Sequence, residues 1–275
     1  MNTKFMKVLK DYVVNKPAAW VPQNTYVKYI TIISGFRLKS YSKFLSLENS
    51  SFFIYQVTHS KHKIFFQSAI RINRFIKGFE HAGKRMWNRY KIDELLGGIE
   101  PRTIIDIGAN IGEFSYYADK RYSGRLKIFA FDPDPVTKQC FENNLVGIDA
   151  SFNLVALSNK SGEEDLYLKT DSADSSLHKP NGVSIKIKTK IITLDSFFNR
   201  LEIVQPVLLK MDAEGHEPEV LLGGIATLKR IDWISIDAGL ERYGKSTSDE
   251  VARILVDQGF SEVKISESYL VTAKK

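Results

Sequence analysis

Apolar runs alternate with amphipathic stretches along the chain after residue 92. Short apolar runs predict strands that are buried on both faces, as in a parallel sheet, and the periodic stretches between them predict helices. The predicted strands cover 103–107, 127–131, 151–157, 207–211 and 233–236, and the predicted helices cover 112–120, 135–145, 194–200, 217–228 and 247–258. This alternation indicates an α/β fold built on a mostly parallel sheet.

Two further features modify this pattern. The segments 164–169 and 183–192 have strand character and are predicted to form an antiparallel excursion, connected by the polar loop 171–181. The chain ends in two apolar runs, 261–265 and 269–273, which are close enough to form a hairpin. We therefore expect a seven-stranded, mostly parallel sheet with an antiparallel final strand.

Charge divides the chain near residue 91. Residues 1–91 carry 17 Lys and Arg residues against three acidic residues, a net charge of +14, whereas the remainder has 22 against 29, a net charge of −7. The basic part is also rich in aromatic residues, as at 51–55 and 64–66. We predict a basic, helical N-terminal appendage over 1–91 and a ligand-binding domain over 92–275.

Three interpretations of the basic appendage are open. Anionic lipid or a lipid-linked glycan at a membrane surface would attract it, and nucleic acid would attract it as well. Alternatively, the appendage packs on the acidic domain or on a second subunit of a homo-oligomer, with its charges in water.

Cysteine content bears on the compartment. The single cysteine, Cys140, excludes an internal disulfide, fits a reducing compartment and is expected to lie in the core. Charged residues and prolines interrupt the first 30 residues, against a secretory signal, and no apolar run reaches the about 18 residues of a membrane-spanning helix. We expect a cytoplasmic protein, with attachment to the membrane surface as the alternative that the basic appendage suggests.

The most informative pattern in the chain spans 103–135, where a strand, a glycine turn, a helix and a second strand are followed by an acid. This is the layout of a nucleotide-cofactor site. The dinucleotide fingerprint Gly-x-Gly-x-x-Gly is not met, because Asn110 and Glu113 occupy the two glycine positions after Gly108. A carboxylate at a helix start repels phosphate, so the pattern favours a ligand without phosphate. The alternative is a glycine-rich turn that binds nothing.

Each polar group of this pattern has a predicted partner. Asp106 is predicted to receive a cationic amino group, and the backbone N–H groups of the turn are predicted to receive a carboxylate. Asp132 is predicted to accept hydrogen bonds from two ribose hydroxyls. An amino acid joined to a nucleoside describes S-adenosylmethionine. The predicted cofactor-binding residues are Asp106, Gly108, Ala109, Asn110, Gly112, Asp132, Pro133, Ala156 and Leu157.

Five segments together resemble the FkbM family of S-adenosylmethionine-dependent methyltransferases. They are IDIGANIG at 105–112, FAFDPDP at 129–135, VALS at 155–158, TLD at 193–195 and LKMDAEGHE at 209–217. The resemblance implies a class I, Rossmann-like enzyme that methylates a hydroxyl of a sugar, a glycan or a related natural product. The sequence departs from the family at Asp132, where the family usually has glutamate, but the carboxylate is kept.

The turn at 212–217 is predicted to face the same crevice as the glycine turn, because it follows the strand expected beside the first one. A base assists methylation of a sugar hydroxyl. His216 and Asp212 are predicted as this base with nearly equal weight, and Glu214 is predicted to orient the acceptor. The alternative for His216 is a capping or packing role at a helix start. No metal is predicted, although Asp212, Glu214 and Asp237 offer the oxygen ligands that Mg²⁺ prefers.

Three smaller features have expected roles. The polar loop 171–178 is long enough to cover the site. Glu142, Asn143 and Asn144 end the second helix, where one of them is expected to bond to the cofactor or, alternatively, they cap the helix. Asp195 is expected to cap a helix.

Two other functions compete with this hypothesis. The basic appendage would suit a nucleic-acid methyltransferase, but the acids at 212–217 would repel phosphates at the place where such enzymes commonly carry an Asn/Asp-Pro-Pro-Tyr/Phe motif. A membrane-surface or assembly module would keep the cofactor fold for structure only, yet Asp106, Gly108 and Asp132 are all present. The expected partner is a hydroxyl-bearing sugar, glycan or lipid-linked acceptor, and nucleic acid is not expected.

Overall fold

The structure is a computed structural model that describes residues 25–27, 41–47, 50–59, 62–169, 175–179, 184–199 and 201–275. In chain order the elements are β1 (Tyr41–Leu47), β2 (Ser50–His59), β3 (His62–Gln67), a 3-10 helix (Ala69–Arg74), α1 (Phe79–Arg89), α2 (Ile92–Leu96), β4 (Thr103–Ile107), α3 (Glu113–Arg121), β5 (Lys127–Phe131), α4 (Pro135–Asn144), β6 (Ala150–Asn153), β7 (Ala156–Leu157), β8 (Gly162–Leu168), β9 (Ser175–Ser176), β10 (Ile185–Ile192), α5 (Leu194–Phe198), β11 (Val207–Asp212), α6 (Glu217–Leu222), α7 (Ile225–Leu228), β12 (Trp233–Asp237), α8 (Ser248–Asp257), β13 (Ser261–Ile265) and β14 (Leu270–Lys274). Within these ranges, every helix falls short of the length and hydrophobicity needed to cross a bilayer.

A seven-stranded sheet in the order β13-β14-β12-β11-β4-β5-β6 forms the centre of the fold. The strands from β12 to β6 in this order are parallel, whereas β14 runs antiparallel to both β12 and β13. Every residue of β4 and β12 is buried, which explains their largely apolar sequences. The predicted α/β, Rossmann-like fold is confirmed, including the antiparallel final strand.

The predicted antiparallel excursion is also confirmed. β8 pairs with β10 in antiparallel register, and β9 extends this second sheet beyond β8. The predicted single strand 151–157 is wrong, because β6 belongs to the main sheet and β7 pairs with β10. The chain changes sheets at a tight turn in which Val155 N–H donates to Asn153 O. The predicted helix 217–228 also divides, into α6 and α7, at Gly223 and Gly224, whose flexibility disfavours a continuous helix.

The N-terminal region is a sheet where the structure describes it between residues 41 and 67. β1, β2 and β3 pair in antiparallel register with β2 in the centre. The prediction of a helical appendage is wrong here, because aromatic and β-branched side chains favour a pleated surface over a helix. Ile54, Tyr55, Ile64 and Phe66 are all buried, and the rings of Tyr55 and Phe66 stack with centroids 5.7 Å apart.

This N-terminal sheet packs against the acidic domain. Phe65 N–H donates to Asn144 Oδ1 at 2.8 Å, and Asn144 Nδ2 donates to the carbonyl oxygens of Phe65 and Ile111 at 2.9 and 3.0 Å. Gln67 Nε2 donates to Thr137 Oγ1 at 3.0 Å. Asn144 therefore ties β3 to the glycine turn, and the described contacts show the packing on the domain that was one of the three interpretations.

Helices α1 and α3 cross at Gly83, where no side chain fits. A Cβ atom on Gly83 would lie 2.2 Å from Glu113 O and 2.6 Å from Tyr117 Cβ. Trp87, one turn further along α1, stacks on Phe114 with ring centroids 5.4 Å apart. The two helix backbones therefore touch, and α1 is packed into the domain although it precedes residue 91.

Replacement of Gly83 by alanine is expected to lower the free energy of unfolding by about 1–3 kcal/mol, since the new methyl group forces α1 and α3 apart. Lys84→Ala, on the exposed face of the same helix, is the control and should stay within about 0.5 kcal/mol of the wild type. Urea unfolding followed by circular dichroism measures both variants. Equal midpoints for the two would contradict the close contact between the helices.

Candidate active site

One cavity of about 260 Å³ opens at the carboxyl ends of β4, β5, β11 and β12. Open α/β sheets bind their ligands at this edge. Ten of the twelve predicted site residues line the cavity, namely Gly108, Ala109, Asn110, Asp132, Pro133, Ala156, Leu157, Asp212, Glu214 and His216. The other two, Asp106 and Gly112, are not part of its lining.

Asp106 lies beneath the cavity. It is 0% exposed and accepts a 2.6 Å hydrogen bond from Ser115 Oγ on one oxygen, while the Lys210 ammonium lies 3.0 Å from the other. The role of Asp106 toward the amino group of the ligand stays a prediction, although a cation of the chain already neutralises this carboxylate. Gly112 has a packing role instead, since a Cβ atom there would lie 2.3 Å from Leu145 Cδ1.

Lys210 fixes the position of the glycine turn. It is 1% exposed and donates to Ile107 O and Gly108 O at 3.2 and 2.9 Å, and its ammonium lies 5.3 Å from the centroid of the Tyr90 ring. Burial acts to lower the pKa of Lys210, but the neighbouring carboxylates, Asp106 foremost, outweigh it and raise the pKa. The sequence analysis missed this residue, although a lone lysine inside the apolar strand β11 was the available signal.

The backbone N–H groups of the glycine turn are occupied within the chain. The bonds are Gly108 N and Ala109 N to Phe131 O at 2.9 and 3.1 Å, Asn110 N to Asp132 Oδ2 at 3.0 Å, Ile111 N to Asn110 Oδ1 at 2.9 Å and Gly112 N to Ala109 O at 3.0 Å. Each of these N–H groups thus already has an acceptor within the chain, and their binding of a ligand carboxylate stays a prediction. These internal hydrogen bonds satisfy the buried backbone N–H groups, which need acceptors, and they make the turn rigid.

The glycine turn and the acidic turn touch at Gly108. This residue has φ of +67°, and a Cβ atom on it would lie 1.9 Å from Asp212 O. Each turn also holds a non-glycine residue in the left-handed region, Asn110 at +49° and Glu214 at +50°. Such conformations cost on the order of 1–3 kcal/mol and cluster at functional sites.

Asp132 directly follows β5 and lines the cavity. Its two oxygens accept hydrogen bonds from Asn110 N and Asp134 N, both at 3.0 Å. Burial, followed by the charge of Asp134, raises the pKa of Asp132 to about 7. Each carboxylate oxygen has two lone pairs, so Asp132 retains acceptor capacity for ribose hydroxyls.

A pair of carboxylates, Asp212 and Asp237, lies on the other side of the glycine turn from Asp132. Asp212 and Asp237 are register partners at the ends of β11 and β12. Tyr90 Oη donates to Asp212 Oδ2 at 2.9 Å, and Arg89 forms an ion pair with Asp237. Burial, with the charge of Asp212, raises the pKa of Asp237 to about 6, and burial raises the pKa of Tyr90 well above its usual value. Tyr90 is therefore a permanent donor. Sequence analysis missed Tyr90 and Arg89 because they precede every recognised motif.

His216 lines the cavity, but its ring also contacts side chains outside the acidic turn. Its Nε2 lies 2.9 Å from Ser158 Oγ, and its Nδ1 lies 3.7 Å from Glu219 Oε2. Burial, the largest influence, lowers the pKa of His216 against the opposing charge of Glu219, and His178 and Arg242 add to the lowering, so the imidazole is neutral near pH 7. His216 also occupies the N-cap position of α6 without a side-chain cap bond.

The described part of the polar loop lies over the cavity. Ser175, Ser176 and Leu177 are among the lining residues. Ser175 Oγ donates to Asp134 Oδ2 at 2.9 Å, and Ser176 Oγ donates to Glu214 O at 3.1 Å. These two bonds hold the loop to both sides of the site, as expected for a cover, while residues 171–174 lie outside the described ranges.

The structure also describes Asp195, Cys140 and the side chains that could bind a metal. Asp195 caps α7, accepting bonds from Ala226 N and Thr227 N at 3.0 and 2.7 Å, so the capping prediction is confirmed. Cys140 is buried, as expected of a core residue. Over the described ranges, no group of three or more His, Cys, Asp or Glu side chains is arranged to hold a metal ion.

The family of the chain follows from a family model. Residues 106–262 match the methyltransferase FkbM domain. This match covers more than half of the chain, which therefore belongs to the FkbM family of S-adenosylmethionine-dependent methyltransferases. The predicted family and enzyme class are confirmed.

Individual proteins similar to the chain include two methyltransferases and one solved structure. The hexuronic acid methyltransferase AglP of Haloferax volcanii is 28% identical over 143 residues, which cover 50% of this chain and 56% of AglP. Methyltransferase 1 of Beauveria bassiana is 28% identical over 143 residues, with coverages of 44% and 57%. The chain thus spans about half the length of these relatives. The precorrin-6y C5,15-methyltransferase of Geobacter metallireducens is 15% identical, with a TM-score of 0.41 and coverages of 68% and 89%.

Glu217 is bonded to the backbone of the acidic turn through its carboxyl group. It is buried and accepts hydrogen bonds from Gly215 N at 2.8 Å and Thr247 Oγ1 at 2.7 Å. Burial raises the pKa of Glu217 from 4.5 to about 7. The folded protein therefore binds this proton more tightly than the unfolded chain does, and the associated stability is complete below pH 4.5 and lost as the pH rises to about 7.

Glu217→Gln removes the titration and keeps an acceptor oxygen for Gly215 N–H, while its amide N–H group donates to Thr247 Oγ1 in place of the bond that the carboxylate accepts. The loss in unfolding free energy between about pH 5 and about pH 8 is expected to be smaller in this variant than in the wild type, by on the order of 1–3 kcal/mol. Urea titrations at the two pH values measure it, with Glu267→Gln on the surface as the control. Parallel pH profiles for the wild type and Glu217→Gln would contradict the raised pKa.

Proposed function

We propose that this methyltransferase binds S-adenosylmethionine across the glycine turn and transfers its methyl group to a hydroxyl of a sugar or glycan. The observation that carries the proposal is that carboxylates line a single cavity on both sides of the glycine turn. Asp132 lies on one side of the Gly108 turn, and the pair Asp212 and Asp237 lies on the other. The first suits a nucleoside, and the second suits the acceptor.

The donor side has the chemistry of a nucleoside site. Asp132 is oriented by two backbone N–H bonds, and it accepts the ribose hydroxyls with its remaining lone pairs. Pro133, Ala156 and Leu157 supply apolar surface beside it for a base. S-adenosylmethionine, when bound, supplies an electrophilic methyl group on a sulfonium ion. The chain contributes alignment, which is worth about 7–11 kcal/mol in well-oriented reactions.

Asp212 is the proton acceptor in this proposal. It faces the cavity, and the Tyr90 hydroxyl holds one oxygen in place. His216 is less suited, because its Nε2 is bonded to Ser158 and its Nδ1 is buried. The paired Arg89 and Asp237 orient the acceptor beside it, and Glu214 does so from the neighbouring turn. A positioned base contributes about 10²–10⁴-fold in rate.

A polyhydroxylated acceptor fits the lining. Six carboxylates (Glu113, Asp132, Asp212, Glu214, Asp237 and Glu241) and four basic side chains (Arg71, Arg74, Arg89 and Lys210) surround the cavity. Such a lining offers both acceptors and donors to hydroxyl groups, whereas its excess of acids disfavours the phosphates of nucleic acid. The similarity to AglP, a hexuronic acid methyltransferase, supports a sugar as the acceptor class. Whether the sugar is free or lipid-linked is decided by the glycan analysis below.

The donor assignment predicts a specific loss of affinity. Asp132→Ala is expected to weaken binding of S-adenosylhomocysteine at least tenfold, since two hydrogen bonds to a carboxylate are lost. Isothermal calorimetry on the purified protein measures it. Asp149→Ala, which removes an exposed aspartate near the other end of β5, is the control and should bind like the wild type. Unchanged affinity in Asp132→Ala would contradict the donor site.

The base assignment predicts a loss of methylation without a loss of donor binding. Asp212→Asn is expected to reduce methyl transfer by about 10²–10⁴-fold and to leave the affinity for S-adenosylhomocysteine nearly unchanged. Mass spectrometry of glycans and lipid-linked intermediates, from cells without the gene and with each variant, detects the missing methylene mass. His216→Gln should restore methylation in the same cells. Full methylation with Asp212→Asn would overturn the role of Asp212.

A further inference from the structure

The N-terminal unit, by which we mean the described residues up to residue 91, supplies one wall of the cavity. Arg71, Arg74, Met86 and Arg89 line it, and all four precede the segment 106–262 that matches the family model. Arg71 differs from its neighbours in burial, because it is 4% exposed. A guanidinium removed from water needs charged or polar partners, and in a ligand cavity it is suited to a carboxylate.

Core packing fixes Arg71 against the glycine turn. The 3-10 helix that carries it buries Ala69, Ile72 and Phe75 in one cluster with Ala109 and Ile111 of the turn. Arg71 also bonds directly to the turn.

The direct bond joins Arg71 Nη1 to Asn110 Oδ1 at 2.9 Å. The same amide oxygen accepts Ile111 N–H at 2.9 Å, so the Asn110 side chain is held in one orientation. The guanidinium therefore lies beside the turn at which the amino-acid part of the donor is expected.

The amino-acid part of the donor needs a partner that the turn does not provide. All five backbone N–H groups from residue 108 to residue 112 donate within the chain. Asp106 is neutralised by Lys210, which itself bonds to Gly108 O. Among the described residues, a carboxylate that enters this end of the cavity thus meets backbone donors that bond within the chain and the buried positive charge of Arg71.

We propose that Arg71 binds the carboxylate of the methionine part of S-adenosylmethionine. A guanidinium is a cation with N–H donors in a planar fork that matches a carboxylate, and the bond to Asn110 holds this fork beside the turn. This inference rests on the proposed donor site. It gives the basic N-terminal unit a role in donor binding that does not involve a membrane or nucleic acid.

Two ligands that differ only in the carboxylate test the assignment. S-adenosylhomocysteine carries it, and the decarboxylated analogue, S-adenosyl-3-thiopropylamine, keeps the nucleoside, the thioether and the ammonium. Calorimetry on the full chain is expected to show that Arg71→Gln loses about 10–100-fold in affinity for S-adenosylhomocysteine. Its affinity for the decarboxylated analogue should equal that of the wild type, which also shows that the site is folded. Arg71→Lys should recover part of the loss.

Arg85→Gln is the matched control, because Arg85 is exposed on α1 and is not part of the cavity lining. An Arg71→Gln protein that binds S-adenosylhomocysteine as well as Arg85→Gln does would overturn the assignment. Equal weakening toward both ligands would overturn it too, because Arg71 would then act only on the structure. If the wild type binds neither ligand, the proposed donor site itself is wrong, an outcome distinct from the other two.

Discussion

A buried ammonium in the centre of the sheet holds the two functional turns together. Lys210 is part of β11, where it pairs with its register partner Asp106 on β4 and bonds to Gly108 O. Asp212 is two residues further along β11 and therefore points to the same face of the sheet. Removing one partner of such a buried pair typically costs 3–5 kcal/mol, roughly a third or more of the stability of an ordinary domain. The interaction that stabilises the centre of the sheet thus also sets the spacing between donor and acceptor.

The other walls of the cavity are joined to this centre by a continuous line of hydrogen bonds. Arg71 bonds to the Asn110 side chain, and the Asn110 backbone bonds to Asp132. Asp132 accepts Asp134 N–H, and Asp134 accepts the hydroxyl of Ser175 in the covering loop. A ligand that binds Asp132 therefore touches a network that spans the N-terminal unit, the glycine turn and the loop. This continuity explains why the N-terminal sheet docks on the donor side of the domain.

Much of the domain was predictable because its strands are buried on both faces and leave a plain apolar signal, as in β4 and β12. The N-terminal sheet was not predicted, because its strands carry no regular alternation of apolar and polar residues, and their aromatic and β-branched content was the only signal of a sheet. The motif spacing correctly predicted that Asp132 and Asp212 share one cavity, because both lie at the carboxyl ends of parallel strands. The ion pair of Asp106 was not predicted, because its partner Lys210 lies on a strand distant in sequence. Local patterns do not record such pairings.

A crystal structure of the full chain with S-adenosylhomocysteine tests the central claim most directly. The account predicts that the ribose hydroxyls bond to Asp132, that the homocysteine carboxylate lies against Arg71 and that the thioether sulfur faces Asp212. A nucleoside bound elsewhere, for example in the groove of about 330 Å³ that Lys91 and Lys274 help to line, would contradict it. So would a ligand in the same cavity with its sulfur turned away from Asp212.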